Sequence, residues 1–354
     1  MKLAACLVCG RLQQFEHSAC RGCGEPLGFD PAALELIPLE ALDDGRVAHK
    51  GRLDAVFRRC VNAAANGCNW LTPVDAEDGR CRACALNRNL ADMSVPLHRE
   101  KWRLLECAKR RLIYAMIRLG LPVAAKMAEG AGGLAFDFLI GSKGAPVITG
   151  HASGLITINI LEADSVERER QRIALNEPYR TLLGHFRHEV GHYYWNLLVE
   201  DAGRVEAFRA IFGDESESYS AALEAYYATG PKPGWEEAYV TAYATMHPWE
   251  DFAETWAHYL HMVDTLDTGA GFGLSVSPKV GEDPRDATVI DFDPYDPPDL
   301  ESLARAWLPL TEAVNSLNRS MGQPDLYPFD PSPNLLVKLR FVHDLLHPPA
   351  VAAG

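Results

Sequence analysis

The sequence predicts an α+β protein. A small cysteine-rich region, residues 1–95, precedes a mainly helical domain with a small sheet, residues 96–354. Three observations carry this reading. Eight of the nine cysteines fall before residue 85, in spaced pairs. From Pro96 the chain changes to apolar residues recurring three and four apart, the period of a helix. Between residues 134 and 160, short apolar runs are set off by glycines, as brief strands are.

With 354 residues, 47% of them hydrophobic and 23% charged, the chain has the balance of a soluble globular protein of two or three domains. No apolar run is long enough to cross a bilayer, so no membrane association is expected. Leu3-Ala-Ala-Cys6 resembles a lipoprotein cleavage box, but no hydrophobic export segment separates it from Met1, and the expected location is the cytoplasm. Residues 1–120 carry 18 Lys/Arg and 14 Asp/Glu, while the remainder carries 16 and 34, so the net −14 is concentrated in the main body. That acidity argues against nucleic acid as a partner of the main body, and the mildly basic front part leaves that option open for itself alone.

In a protein without an export signal, paired cysteines point to metal rather than disulfides. Cys6-x-x-Cys9 and Cys20-x-x-Cys23 form one array. Thiolates two residues apart can converge on one tetrahedral zinc. Cys60 and Cys68, followed by Cys81-x-x-Cys84, form a second array with a wider first pair. Eight sulfurs suffice for two structural four-cysteine zinc sites, and spacing leaves crossed pairing between the arrays open. Segments this small bury too little to fold by packing alone, so zinc would supply the missing stability. Such ribbons bind nucleic acid or a protein partner, or serve as structural caps. Arg58, Arg59, Arg80, Arg82 and Arg88 around the second array read as solvated surface. Cys107, on a helical stretch with Leu104, Ala108, Leu112 and Met116, reads as a buried core thiol.

The later elements follow from periodicity and punctuation. Residues 99–119 read as an amphipathic helix stopped at Gly120-Leu121-Pro122. Residues 134–140, 147–149 and 155–160 read as strands, the last two flanking a turn at 150–154. Asp164 with Glu167 forms a capping box for a charged helix that Asn176 would end, and Pro178 suits the first turn of a helix over 178–198. Helices are expected near 204–212, 217–228, 235–246 and 248–266. A loop with a short strand at 288–292 should span 269–298, before helices near 300–318 and 334–347.

The helix over 178–198 carries His188-Glu189-Val190-Gly191-His192, an H-E-x-x-H pattern. Histidines four apart share a helix face and can grip one metal ion, with the intervening glutamate placed to activate water. Val190, Gly191, Tyr193 and Tyr194 are uncharged, as a buried helix requires, and Gly191 would admit a close neighbour. A third ligand is needed. The best stretch runs from His247 to His258, where Pro248 starts a helix with Glu250 in its first turn and Glu254 one turn on, along one face. One carboxylate on the metal and another orienting a ligating histidine is a sound arrangement. Phe252, Trp256 and Leu260 on the other face would be core.

These features resemble the bacterial zinc-binding metallopeptidases with an N-terminal zinc ribbon, a gluzincin-like group. The resemblance covers nearly the whole chain. It rests on the paired cysteine knuckles, HEVGHYYW, HPWEDFAETWAHYLH and NRSMGQPDLYPF. It implies a zincin-like domain with one catalytic and two structural zinc ions. In such peptidases the ligand glutamate is followed four residues later by an acidic supporter, which makes Glu250 the ligand and Glu254 the supporter, with reversed roles as the alternative. A tyrosine seven residues before the ligand implies Tyr243 as oxyanion donor, with Tyr239, Tyr193, His185 and His258 as rivals. Zinc held by His188, His192 and Glu250, with Glu189 as general base, would hydrolyse a peptide or protein substrate. The strand ending near Ile160 could hold that peptide by edge pairing. The competing reading is a zinc-ribbon module binding protein or nucleic acid on a passive zincin-like scaffold. Acidic clusters near 214–217 and 282–299 suit basic or neutral peptides, or are solvated surface.

Overall fold

A computed structural model describes residues 3–127, 132–142, 145, 147–174, 177–329 and 332–348. The expected helix end at Asn176 lies outside these residues. The chain forms two compact units, residues 1–168 and 169–354.

The first unit begins with an antiparallel hairpin, β1 (Leu3–Ala5) and β2 (Leu12–Gln14). An antiparallel meander follows: β3 (Leu27–Asp30), β4 (Glu35–Ala41), β5 (Val47–His49), β6 (Arg52–Arg59), a single helical turn α1 (Ala63–Asn66), and β7 (Leu71–Pro73). Ile37, Leu39, Val47 and Leu71 close its core with Phe57. Then come β8 (Asn87–Leu90), α2 (Pro96–Arg118), β9 (Ala135–Leu139), β10 (Gly150–Ala152) and β11 (Leu155–Asn159), and α3 (Ser165–Ala174) runs across the boundary at residue 168. The four strands form a sheet in the order β10-β11-β9-β8, with β8 and β11 parallel to β9. Asp137 on β9 fastens β8, accepting from Arg88 Nη2 at 2.6 Å and from the Asn89 backbone N–H at 3.0 Å.

Helix α2 packs on the cysteine-rich region. Tyr114 lies 5.3 Å from Phe15, which meets Phe29 at 5.4 Å, and Phe29 meets Trp70 at 5.0 Å. The aromatics of the small strands thus gain a core by sharing that of the helix. Cys107 is only half-buried and Leu104 is exposed, so this part of α2 turns further outward than its apolar spacing suggested.

The hairpin β10–β11 corrects the expected strand at 147–149. Ser153 and Gly154 both take positive φ, 48° and 81°, and make a two-residue turn that pairs Ala152 with Leu155. The strand therefore covers residues 150–152, inside the expected turn. β11 has β10 on one side and β9 on the other, so it does not offer the free edge that peptide pairing near Ile160 requires.

The second unit is helical: α4 (Leu182–Trp195), α5 (Val205–Phe212), α6 (Tyr219–Thr229), α7 (Pro248–Gly271), α8 (Leu300–Ser320) and α9 (Pro333–Leu346). A small hairpin of β12 (Ser275–Val276) and β13 (Thr288–Val289) interrupts the stretch after α7. α4 begins later than Pro178 because Thr181 caps it, its Oγ1 accepting from Gly184 N at 2.9 Å. The expected helix over 235–246 is two isolated 3₁₀ turns, 235–237 and 243–245. Carbonyls there are engaged from α9 instead: Ser332 Oγ donates to Glu237 O at 2.8 Å, and Lys338 Nζ to Ala238 O at 2.5 Å. Phe208, Phe212, Phe252 and Phe341 join α5, α7 and α9 in one aromatic cluster. None of the described helices is long and apolar enough to cross a membrane.

The tightest approach in this unit is α4 against α7. A Cβ on Gly191 would lie 3.1 Å from Ala253 Cα and 3.2 Å from the Trp256 ring. Backbone and a buried indole cannot yield cheaply. Gly191→Ala is therefore expected to lower unfolding free energy by about 1–3 kcal/mol in urea titration. Gly150→Ala, whose Cβ meets nothing within 4 Å, is expected to change it by less than about 0.5 kcal/mol.

Candidate metal centres

In the first unit each cysteine array gathers by itself. Cys6, Cys9, Cys20 and Cys23 bring their sulfurs within 4.8 Å of one another, and so do Cys60, Cys68, Cys81 and Cys84. Crossed pairing is not observed. Nearest sulfur pairs stand 3.6 and 3.9 Å apart in each group. A tetrahedron with Zn–S of about 2.3 Å has edges of about 3.8 Å, so both groups fit zinc. Backbone N–H groups aim at the sulfurs, from Gly22 to Cys20 at 3.3 Å and from Cys81 to Cys60 at 3.4 Å. The Cys23 backbone N–H leads the interactions that draw the Cys20 thiol down to about 6, favouring the thiolate a metal needs.

Behind the second group lies a buried polar cluster. Glu106 accepts from Asn87 Nδ2 at 2.8 Å and from Lys109 Nζ at 2.7 Å, with Arg110 at 3.9 Å. Two buried cations against one carboxylate leave positive charge beside four cysteines, which suits a zinc–tetrathiolate of net charge −2.

In the second unit, α4 presents His188 and His192 on one face, and α7 brings Glu250 opposite. His188 Nε2 lies 3.0 Å from Glu250 Oε2, and His192 Nε2 lies 3.5 Å from Glu250 Oε1. The edges of a zinc tetrahedron with N/O ligands are about 3.3 Å. All three residues are buried. Glu254 sits on the far side of the first imidazole, its Oε1 2.5 Å from His188 Nδ1. With the Nδ1 proton directed to Glu254, Nε2 presents a lone pair to another acceptor, Glu250. Two acceptors at 3.0 Å need a cation between them, either a proton or a metal. Burial opposes charge on His188, but Glu250 and Glu254 outweigh it and raise its pKa well above the usual imidazole value. Burial likewise opposes ionisation of Glu250, and the two histidines reverse this, holding it well below the carboxylate range. The residues thus fit a divalent cation in place of a proton.

His247 caps α7, its Nδ1 accepting from Trp249 N at 3.2 Å while Nε2 bonds Glu217 O at 3.1 Å. Trp249 packs on His192 with ring centres 3.9 Å apart and planes tilted by 35°. Glu189 is buried, with His185 Nε2 3.7 Å from its Oε1. Tyr243 places its ring 6.2 Å from that of His188. Sequence reasoning missed Tyr219, which donates to Glu250 Oε1 at 2.9 Å. Its only signal was its place one residue after the α6 cap, Ser218, far from the motif. Burial, and then the charge of Glu250, raise both phenols, so they stay protonated.

The other candidates have different company. Tyr193 packs against Tyr194, and Tyr239 lies under Lys338 Nζ at 3.9 Å. His258 bonds the Tyr327 hydroxyl and rests on Phe329. Burial, aided by Arg187 and His188 against Glu254, draws its pKa down to about 4.

This geometry agrees with what similar proteins are. Residues 98–345 match the family described as "putative zinc-binding metallo-peptidase", and residues 3–95 match a zinc-ribbon domain. The chain belongs to that zinc-binding metallopeptidase family. Proteins of Mycobacterium bovis and Mycobacterium tuberculosis, both named as uncharacterized, are each 40% identical over 342 residues, covering 96% of this chain and 94% of theirs. No solved structure matches.

Metal analysis of the intact protein is expected to return about three zinc ions per chain, one for each cluster. A double variant, His188→Ala with His192→Ala, is expected to return about two, the cysteine clusters being untouched.

Proposed function

We propose that the protein is a zinc-dependent peptidase with a zincin-like, gluzincin-type site. The observation that carries this is a difference in donor count. Each cysteine cluster gathers four protein ligands, whereas His188, His192 and Glu250 gather only three among the described residues. Structural zinc sites close all four positions, and catalytic ones keep one for water or substrate. The same contrast weakens the passive-scaffold reading, which also leaves the buried Glu189 without a task.

His188, His192 and Glu250 would hold zinc, which when bound supplies Lewis acidity for a water and a carbonyl. Glu189 takes the proton of the attacking water and passes it to the leaving amine. Glu254 fixes the tautomer and orientation of His188. Tyr243, kept neutral, donates to the oxyanion, and Tyr219 steadies Glu250. The cysteine clusters hold structural zinc, and the ribbon is free to meet a protein partner. Eight cysteines gathered for metal favour a reducing compartment, the cytoplasm. The gap between the two family matches supports a module boundary near residue 95, although α2 packs with the ribbon.

Glu189→Gln is expected to keep its zinc and to lose at least about 100-fold in kcat/KM on a peptide library. Full activity in a variant with intact zinc would remove this mechanism.

A further inference from the structure

Beside the three-donor site, within the second unit, lies a cavity of approximately 370 Å³. Trp195, Trp249, Tyr219 and His247 wall it, with the exposed Glu200 and the half-buried Glu215. Two of these walls also touch the metal-binding groups, Trp249 on the His192 ring and Tyr219 on Glu250. A group lodged here rests against the residues that surround the reacting bond.

The chain builds this cavity with an acidic bias. α4 passes into a π-type turn over Asn196–Glu200, a rare geometry that concentrates at functional sites, and Glu200 is its last residue. Asn196 Nδ2 donates to Glu200 Oε2 at 2.6 Å and orients it. Glu215 is matched by Arg209, which donates to it at 2.7 and 3.0 Å. Among the described residues, Glu200 pairs with no cation. Residues 200–217 hold six Asp/Glu and two Arg, so no local excess of positive charge offsets it. Indole faces attract cations, and a guanidinium slides between such a face and a carboxylate more readily than any other side chain. Trp195 is 5% exposed, and its buried indole N–H has no partner among the described residues.

We infer that this cavity selects a basic side chain, Arg or Lys, of the substrate beside the scissile bond, with Glu200 as the specificity-determining residue. The inference rests on the peptidase reading, so binding and turnover are measured separately.

The zinc-loaded Glu189→Gln protein is titrated, by tryptophan fluorescence, with acetylated alanine pentapeptides carrying arginine, leucine or glutamate at the centre. The arginine peptide is expected to bind at least about tenfold tighter than the other two. Adding Glu200→Gln should weaken the arginine peptide about tenfold and leave the leucine peptide within about twofold. Adding Glu200→Lys should reverse the order of the arginine and glutamate peptides. Equal or undetectable binding of the three peptides overturns the inference, as does an arginine preference that Glu200→Gln leaves intact. Wild-type protein that cleaves none of the peptides, while the Glu200-dependent preference persists in binding, supports the cavity assignment and removes the peptidase reading instead.

Discussion

The arrangement around the three-donor site depends on two helices touching where a side chain would hold them apart. Gly191 sits between the two histidines of α4, and the backbone of α7 at Ala253 comes close enough to exclude a methyl group. Ala253 in turn lies between Glu250 and Glu254. One contact therefore sets two registers at once: histidines four apart on one helix and glutamates four apart on the other. Glu250 faces both Nε2 atoms and Glu254 takes the Nδ1 of His188. Moving either helix along its axis would separate both pairs together.

Burying this much charge is costly unless every group has a partner, and the second unit supplies partners in pairs. Arg187, adjacent to the motif, bonds Asp264 and His261 on α7, and Tyr295 closes on the same Asp264. Asp251, next to Glu250, is met by Lys338 of α9 at 2.6 Å. Burial still pushes Asp251 up to about 7, so Lys338 compensates the cost only in part. Arg187 ties α7 to α4 and Lys338 ties it to α9, so the metal-facing carboxylates are presented from a helix held by both neighbours. The cysteine clusters solve a different problem. There four donors converge in short strands and turns, with α2 lending both a core and cations.

The site was more legible in sequence than the fold around it, for physical reasons. Ligands four apart on a helix and thiols two apart in a knuckle are local patterns, and local geometry alone brings them together. Pro248 marked the start of α7, and helical spacing placed Glu250 and Glu254 on one face, while the order of their roles came from the family resemblance. What could not be read was long-range. Residues 235–246 carry helix-compatible composition, yet their carbonyls are claimed by Ser332 and Lys338, about a hundred residues later. Tyr219 reaches Glu250 across 31 positions with no periodic signature. Thr181 competed with Pro178 for the start of α4, and the side-chain cap won. The π-type turn after Trp195, which ends at Glu200, has no sequence signal of its own.

The central claim is that His188, His192 and Glu250 form a three-ligand metal site with its fourth position free. A crystal structure of the zinc-loaded protein, with anomalous data collected on either side of the zinc edge, tests it most directly. The expected result is a zinc peak within about 2.0–2.2 Å of His188 Nε2, His192 Nε2 and a Glu250 oxygen, with a water or other small molecule completing the tetrahedron. A fourth protein ligand closing that site would contradict the account, as would a zinc-loaded protein whose only peaks lie at the two cysteine clusters.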